Sequence, residues 1–117
     1  MYVTILGDMQ YTVFNSKGFD DYKNWLQEDK SKFEKINSLI TSIQRDGPLK
    51  GLGQPEVCKH DYKGNLSRRI DQKNRLIYQF RRDDKTGDTN TIIIGCKDHY
   101  KGQTHKEKLV GMITITN

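Results

Sequence analysis

The spacing of apolar residues changes partway along the chain from a helical repeat to a strand repeat. Between residues 33 and 43 the apolar positions follow one face of an α-helix: Phe33, Ile36, Leu39, Ile40 and Ile43. From Leu66 to Phe80 apolar and polar residues alternate, as they do in β-strands. Because each kind of element must bury its apolar face against another, this order predicts helices packed on a sheet.

Shorter signals predict the remaining elements. Tyr11, Val13 and Phe14 favour an N-terminal strand, and residues 16–30 favour a first helix. Residues 91–96 are almost continuously apolar, as expected for a strand at the centre of a sheet. The order of one strand, two helices and a meander of strands predicts an α+β fold. Two N-terminal helices should pack on one face of a twisted antiparallel sheet.

Length and charge narrow the class of protein. The 117 residues suit one domain, and the formal net charge of +5 favours a polyanionic partner, although ordinary basic domains carry similar charge.

Cys58 and Cys96 are too sparse for a disulfide framework, so reduced thiols are expected. With no leader-like segment and no apolar run of membrane-spanning length, we expect a soluble cytoplasmic protein without a membrane partner.

The strand alternation also places charged side chains. If Leu66, Ile70 and Leu76 lie under the helices, then Arg69 and Arg75 share the opposite face of a hairpin and should be exposed there. Like charges opposite each other cost stability, and a bound anion shared between them would remove that cost. Two solvated surface arginines are the alternative interpretation.

Other polar residues could complete a site for acid–base cleavage of RNA. Glu56 opens a short strand that leads to Lys59 and His60, while His99 and Tyr100 follow the last strand. RNA supplies its own nucleophile, the 2′-hydroxyl group. The protein therefore needs to remove a proton, stabilise the phosphorane charge and protonate the 5′-oxygen, with no serine or cysteine nucleophile.

Metal and phosphate-loop motifs are missing from the sequence. His60, His99 and His105 lack the spacing of a metal site, so neither a metal nor another cofactor is expected. Residues 47–55 are rich in glycine and proline, but their spacing matches no phosphate-binding loop. We interpret this segment as a connector.

Five segments resemble the YoeB/Txe branch of the RelE toxin superfamily over roughly residues 10–100. The pattern runs GxGxPE-x2-KH (51–60), G-x2-SRRI (64–70), RLIY (75–78) and C-x2-HY (96–100), preceded by the helical DDYKNW…KINSLI (20–40). The resemblance implies a microbial RNase fold and ribosome-dependent cutting of mRNA in the A site of the 70S ribosome. It also implies inhibition by a Phd/YefM-like antitoxin, and a homodimer is a further family-level expectation.

The resemblance also implies catalytic roles. Glu56 of the PE dipeptide corresponds to the general base for the 2′-hydroxyl, and His99 of the HY dipeptide to the general acid for the leaving 5′-oxygen. Arg75, which opens RLIY, corresponds to the main phosphate clamp. The implied products are a 2′,3′-cyclic phosphate or 3′-phosphate and a 5′-hydroxyl.

Supporting roles follow in the same way. Arg69 and Lys59 correspond to further phosphate or RNA contacts, Tyr100 to a group that orients the phosphate or nucleotide, and His60 to a support residue. The chain departs from the family at Gln72, which stands with Lys73 where acidic residues are usual before the RLIY arginine.

The two ends of the chain also depart from the family pattern. Within a single toxin domain spanning residues 1–117, segments 1–8 and 101–117 lie outside the family-like part. The apolar, β-branched run Leu109–Thr116 is expected to pair as a strand, with Met1–Leu6 as the candidate neighbour. Flexible ends are the alternative interpretation. The role that we give Tyr100 depends on where this tail lies.

Two other classes of function remain open. The same scaffold could carry a ParE-like gyrase inhibitor or an inactive, partner-binding homologue, because a fold does not fix a function. Neither would need Glu56, Arg75, His99 and Tyr100 together. A plain RNA-binding domain would expose aromatic residues on its sheet, whereas the sheet aromatics here are predicted to face the core.

Overall fold

The computed structural model describes residues 9–98 of the chain. Two helices and five strands make up this part, together with one turn of 3-10 helix. In chain order they are β1 (Gln10–Phe14), α1 (Ser16–Glu28), α2 (Lys30–Asp46), β2 (Glu56–Val57), the 3-10 turn (His60–Tyr62), β3 (Leu66–Arg69), β4 (Arg75–Arg82) and β5 (Thr89–Asp98). The terminal runs Met1–Leu6 and Leu109–Thr116 lie outside the described residues, and so does their expected pairing.

The five strands form one sheet in the order β1-β5-β4-β3-β2. Strands β2 to β5 pair in antiparallel fashion, as predicted. Strand β1 instead runs parallel to β5, with Val13 beside Ile92, so the sheet is mixed. The reason is that α1 and α2 form a crossover between β1 and the rest of the sheet, which lets β1 join in the same direction as β5.

Side chains cap the start of both helices. Asn15 precedes α1 and accepts a hydrogen bond from the amide of Gly18, and Asp29 does the same for Ser31 at the start of α2. Such caps satisfy amide groups that have no partner inside the helix. Helix α2 ends at Asp46, just before Gly47, which has a φ of +102° that favours glycine. Neither helix is long and apolar enough to cross a membrane.

The core lies between the helices and one face of the sheet, which we call the helix face. The residues predicted for this face are found there, with Ile70, Leu76 and Tyr78 buried and Leu66 and Phe80 packed against them. Helix α2 contributes the predicted apolar stripe. The fold is therefore the predicted α+β arrangement, and we call the opposite face of the sheet the second face.

Candidate active site

Strand register brings three of the predicted site residues onto the second face. Glu56 of β2 lies beside Ser67 of β3, and Ser67 lies beside Ile77 of β4. Two positions further along β3, Arg69 lies beside Arg75 of β4. Residues two apart on a strand share a face at a spacing of about 7 Å. The register therefore puts a carboxylate and two guanidinium groups in neighbouring rows of one face.

Arg75 is buried, which corrects the prediction that it would be exposed. Only 1% of its surface is accessible. Its Nη1 donates hydrogen bonds to the carbonyl oxygens of Asp71 at 2.9 Å and Asn74 at 3.2 Å. Alternation fixes the face on which a side chain lies but not what folds over it, and here the β3–β4 turn brings its carbonyls to the guanidinium. The partial negative charge of these carbonyl oxygens also offsets the electrostatic repulsion expected between Arg75 and Arg69.

The turn that holds Arg75 is organised by Asp71. The carboxylate accepts hydrogen bonds from the amides of Lys73 at 2.7 Å and Asn74 at 2.6 Å, and it forms an ion pair with Lys32 of α2 at 3.7 Å. Partial burial raises the pKa of Asp71, but the hydrogen bonds from Asn74 and Lys73 and the charge of Lys32 outweigh it and leave the pKa below its usual value. An acidic contact in this turn therefore exists at Asp71, ahead of Gln72.

The other predicted residues occupy different positions. Glu56 is exposed. Lys59 and His60 are exposed and adjoin the 3-10 turn that follows β2, where His60 has a left-handed backbone with a φ of +58°. His99 and Tyr100 lie outside the described residues. The described part of β5 ends at Asp98, whose backbone lies opposite that of Arg75 in the β4–β5 strand pair.

Helix α1 anchors the end of β5, a feature that the sequence analysis did not identify. The carboxylate of Asp21 accepts hydrogen bonds from the amides of Cys96 at 3.0 Å and Lys97 at 3.2 Å, and Trp25 Nε1 donates to the carbonyl of Cys96 at 2.6 Å. Lys97 also forms an ion pair with Glu28. These contacts occur where the β4–β5 register is irregular, so they satisfy amides in a disturbed part of the ladder.

Arg68 is a second residue that the sequence analysis missed. It lies on the helix face with no accessible surface, beside the apolar residues of the core. Its guanidinium donates to the side chains of Tyr78 and Ser42, and to three backbone carbonyl oxygens, those of Gly47, Lys50 and Leu52. Residues 47–53, which form most of the predicted connector 47–55, are thus wrapped around a buried cation. We call this segment the 47–53 loop.

A groove of about 350 Å³ lies at the rim of the sheet, next to Arg69. We call it the edge groove. Its walls come from α2, from the segment before β2 and from the β3–β4 turn: Lys35, Gly53, Gln54, Arg69, Ile70, Asp71 and Gln72. The groove adjoins the row that holds Arg69 and Arg75, and Gln54 is two residues before Glu56.

Within residues 9–98, neither the cysteines nor other residues that can bind metals form a second functional site. Cys58 and Cys96 are buried thiols. In this part of the chain no group of three or more His, Cys, Asp or Glu side chains is arranged to hold a metal ion. The chemistry that the described site offers is therefore that of a carboxylate beside two guanidinium groups.

Comparison with known proteins identifies the family. Residues 14–100 match the family described as the YoeB-like toxin of bacterial type II toxin–antitoxin systems. Toxin YoeB of Streptomyces coelicolor is 41% identical over 87 residues, which cover 74% of this chain and 95% of that toxin.

Solved structures agree with this assignment. The YoeB–YefM complex from Staphylococcus aureus matches with a TM-score of 0.64 and 40% identity, covering 76% of this chain and 95% of that chain. The YoeB dimer from Staphylococcus aureus matches with a TM-score of 0.66 and 40% identity, covering 78% and 98%. The chain therefore belongs to the YoeB family, the toxins of bacterial type II toxin–antitoxin systems.

Proposed function

We propose that this toxin is a metal-independent endoribonuclease that cuts mRNA in the A site of the 70S ribosome. The observation that carries the proposal is the juxtaposition of Glu56 with Arg69 and Arg75 on the second face. A base beside two cations is what the attack of a 2′-hydroxyl on its neighbouring phosphate requires.

In the proposed reaction Glu56 removes the proton of the 2′-hydroxyl, which then attacks the adjacent phosphorus. Arg75 and Arg69 neutralise the charge that develops on the phosphorane oxygens. The bond to the 5′-oxygen breaks, and His99 donates the proton that this leaving group needs. The products are a 2′,3′-cyclic phosphate, which can open to a 3′-phosphate, and a 5′-hydroxyl.

Three further residues have supporting roles in the proposal. Lys59 lies three positions after Glu56 and contributes positive charge for the RNA backbone. His60 supports this segment through its place at the start of the 3-10 turn. Tyr100 orients the phosphate or the nucleotide.

Fixed hydrogen bonds favour this assignment for Arg75. A guanidinium held by turn carbonyls cannot swing away, so it keeps one position. Preorganised donors stabilise a developing charge better than mobile ones, because little reorganisation accompanies the reaction. The fixed position of Arg75 therefore suits a phosphate clamp.

We also propose the partners and the location of the toxin. The YoeB–YefM complex is the precedent for a Phd/YefM-like antitoxin as inhibitor, and the YoeB dimer is the precedent for a homodimer. A net charge of +5 suits an acidic inhibitor segment as well as ribosomal RNA. Ribosomes and mRNA as targets require the toxin to act in the cytoplasm.

The test is a cleavage assay on ribosomes programmed with a defined mRNA. We expect the wild-type protein to cut only the ribosome-bound mRNA and to leave 5′-hydroxyl ends. Glu56→Gln removes the base, so the rate should fall by a factor on the order of 10²–10⁴. Since Glu56 is exposed, the melting temperature should not change.

The matched control is Glu34→Gln, an exposed glutamate on α2, which should cut at the wild-type rate. Full activity of Glu56→Gln would remove Glu56 from the mechanism. A wild-type protein that cuts no mRNA but blocks DNA supercoiling by gyrase would instead establish the alternative, a ParE-like toxin on this scaffold.

A further inference from the structure

The edge groove contains polar side chains that the fold itself does not use. Within residues 9–98, the residues Lys35, Gln54, Arg69 and Gln72 line the groove, and their side chains make no hydrogen bond or ion pair. The remaining charged group in its wall, Asp71, is already engaged by the amides of its own turn and by Lys32. The groove therefore offers two cations and two carboxamides to a ligand.

Gln54 reaches this groove from a strained backbone. Its φ is +51°, in the left-handed region that residues other than glycine, asparagine and aspartate rarely adopt. It also precedes Pro55, and a residue before proline is normally confined to extended conformations. Such strain persists only where the surroundings enforce it, and it occurs preferentially at functional positions.

The surroundings that enforce this conformation are the buried contacts of the 47–53 loop. Arg68 Nη1 donates to the carbonyl of Leu52 at 2.8 Å, and Ser42 accepts from the amide of Leu52 at 2.9 Å. The carbonyl of Gly53 then accepts from the amide of Arg69 at 2.7 Å. The chain is thus fixed up to the peptide that leads into Gln54, so Gln54 starts from a defined point.

The four side chains fit one nucleotide of an RNA strand. Arg69 and Lys35 can neutralise a phosphate, while a carboxamide presents a donor and an acceptor together and can pair with the edge of a base. An acidic peptide would use the two cations but would not need the two carboxamides. A volume of about 350 Å³ is in the range of small-ligand sites.

We propose that the edge groove binds one nucleotide next to the scissile bond, and that Gln54 selects its base. This inference rests on the proposed function, because the RNA whose phosphate contacts Arg69 is the substrate. It adds a residue that sets sequence preference to the residues that carry out the reaction. Arg69 is shared by the two regions, since it lines the groove and also faces Arg75.

The test compares cleavage positions rather than rates alone. An mRNA library with randomised A-site codons is cut on ribosomes by the wild-type protein and by Gln54→Ala, and the 5′-hydroxyl ends are sequenced. We expect the wild-type base preference at one position beside the cut to flatten at least several-fold in Gln54→Ala. The KM for the preferred codon should rise more than kcat falls, because the lost contact binds the substrate and takes no part in proton transfer.

Two further variants keep the test independent of folding. Gln54→Gly removes the same side chain and suits the positive φ, so it should flatten the preference in a protein at least as stable as the wild type. The control Gln27→Ala removes an exposed glutamine of α1 and should leave the preference unchanged.

Each outcome has a distinct meaning. An unchanged base distribution in both Gln54 variants, with wild-type cleavage intact, overturns the nucleotide groove and leaves the ribonuclease proposal standing. Failure of the wild-type protein to cut any mRNA overturns the ribonuclease proposal and this inference with it. If the Gln54 variants cut normally but bind the antitoxin more weakly, the groove is a site for the acidic peptide instead.

Discussion

At the scale of single residues, Arg75 combines a structural and a proposed catalytic role. Its guanidinium satisfies carbonyl groups of the β3–β4 turn and is 1% exposed. Arg75→Ala removes the donor of the Asp71 carbonyl, whereas the Asn74 carbonyl still accepts from the amide of Ile70, so we expect the free energy of unfolding to fall by about 1–3 kcal/mol. Chemical denaturation of the purified variant measures this. Loss of toxicity in cells would therefore not by itself prove a catalytic role.

Arg82→Ala is the matched control, because Arg82 is exposed at the far end of the same strand. Its unfolding free energy should lie within about 0.5 kcal/mol of the wild-type value. Cleavage by Arg75→Ala, measured at a temperature where the variant is fully folded, should still be slower by about 10² or more, through loss of the phosphate clamp. A folded Arg75→Ala with wild-type activity would contradict the clamp assignment.

Asp71 should make the stability of the protein depend on pH. Its pKa is lowered in the folded protein from an ordinary value of 3.8. A group with a depressed folded pKa contributes stability above its unfolded pKa, and that contribution disappears as the pH falls through the folded value. Asp71→Asn should therefore cost about 1 kcal/mol at neutral pH and progressively less below pH 3.8.

Denaturant titrations of the wild type and Asp71→Asn at neutral and acid pH measure that difference. Asp84→Asn provides the control, since Asp84 is exposed in the turn between β4 and β5. A gap between wild type and Asp71→Asn that stays constant from neutral to acid pH would show that the carboxylate charge is not what stabilises the turn.

Three arginines show what could and could not be predicted from the sequence about individual side chains. The alternation correctly put Arg69 and Arg75 on one face, because that face follows from the two-residue repeat. It could not predict the burial of Arg75, since the acceptors come from the backbone of a turn. Arg68 did have a signal: it falls on the same face as Leu66 and Ile70, and a cation there must find acceptors.

At the scale of elements, the 47–53 loop packs so closely on α2 that it requires a glycine at position 51. A Cβ atom on Gly51 would lie 2.3 Å from Ser42 Oγ and 2.4 Å from Asp46 Oδ2. On Gly64, whose φ of +94° is similar to the +99° of Gly51, a Cβ would contact nothing within 4 Å. Ala substitution at either position meets the same backbone strain, so any difference between them reports the close approach alone.

We therefore expect Gly51→Ala to lower the melting temperature clearly more than Gly64→Ala. The excess cost should be about 1–3 kcal/mol, as for other overpacked sites, because Ser42 and Asp46 are fixed by the contacts around Arg68. Thermal unfolding of the two variants side by side checks this. Equal melting temperatures would mean that the loop is not tightly packed on α2.

The elements themselves were predictable to different degrees. The long apolar stripe of helix α2 was enough to locate this helix in the sequence. The parallel pairing of β1 with β5 could not be predicted, because the spacing of apolar residues is the same in parallel and antiparallel strands. The hydrogen bonds by which Asp21 and Trp25 anchor β5 could not be predicted either, because they join residues about 75 positions apart in the sequence. Long-range pairing of this kind depends on the packing of the whole sheet.

At the scale of the whole molecule, the site is assembled from segments that are distant in sequence. Glu56 arrives on β2, Arg69 on β3 and Arg75 on β4, while the buried Arg68 fixes the loop that leads to Glu56. The helices take no part in this face, because they cover the other side of the sheet. The proposed roles of these residues follow from the family resemblance, and the strand register shows that the residues lie close together.

The position of charge on this surface should govern how fast an acidic inhibitor segment binds. The net charge of +5 attracts such a segment from any direction, but local cations on the second face and its rim guide it to the site. Arg69→Glu and Lys30→Glu change the net charge equally. Arg69 lies beside Arg75 on the second face, whereas the exposed Lys30 begins α2 in the helix layer.

We therefore expect Arg69→Glu to slow antitoxin association by about tenfold or more at low ionic strength, and Lys30→Glu to slow it much less. The gap should narrow as salt is added, since screening acts over about 10 Å at moderate ionic strength. Stopped-flow measurements of the association rate constant across a salt series provide the test. Equal slowing by the two variants would mean that net charge alone steers the inhibitor and that the local cations of the second face do not guide it.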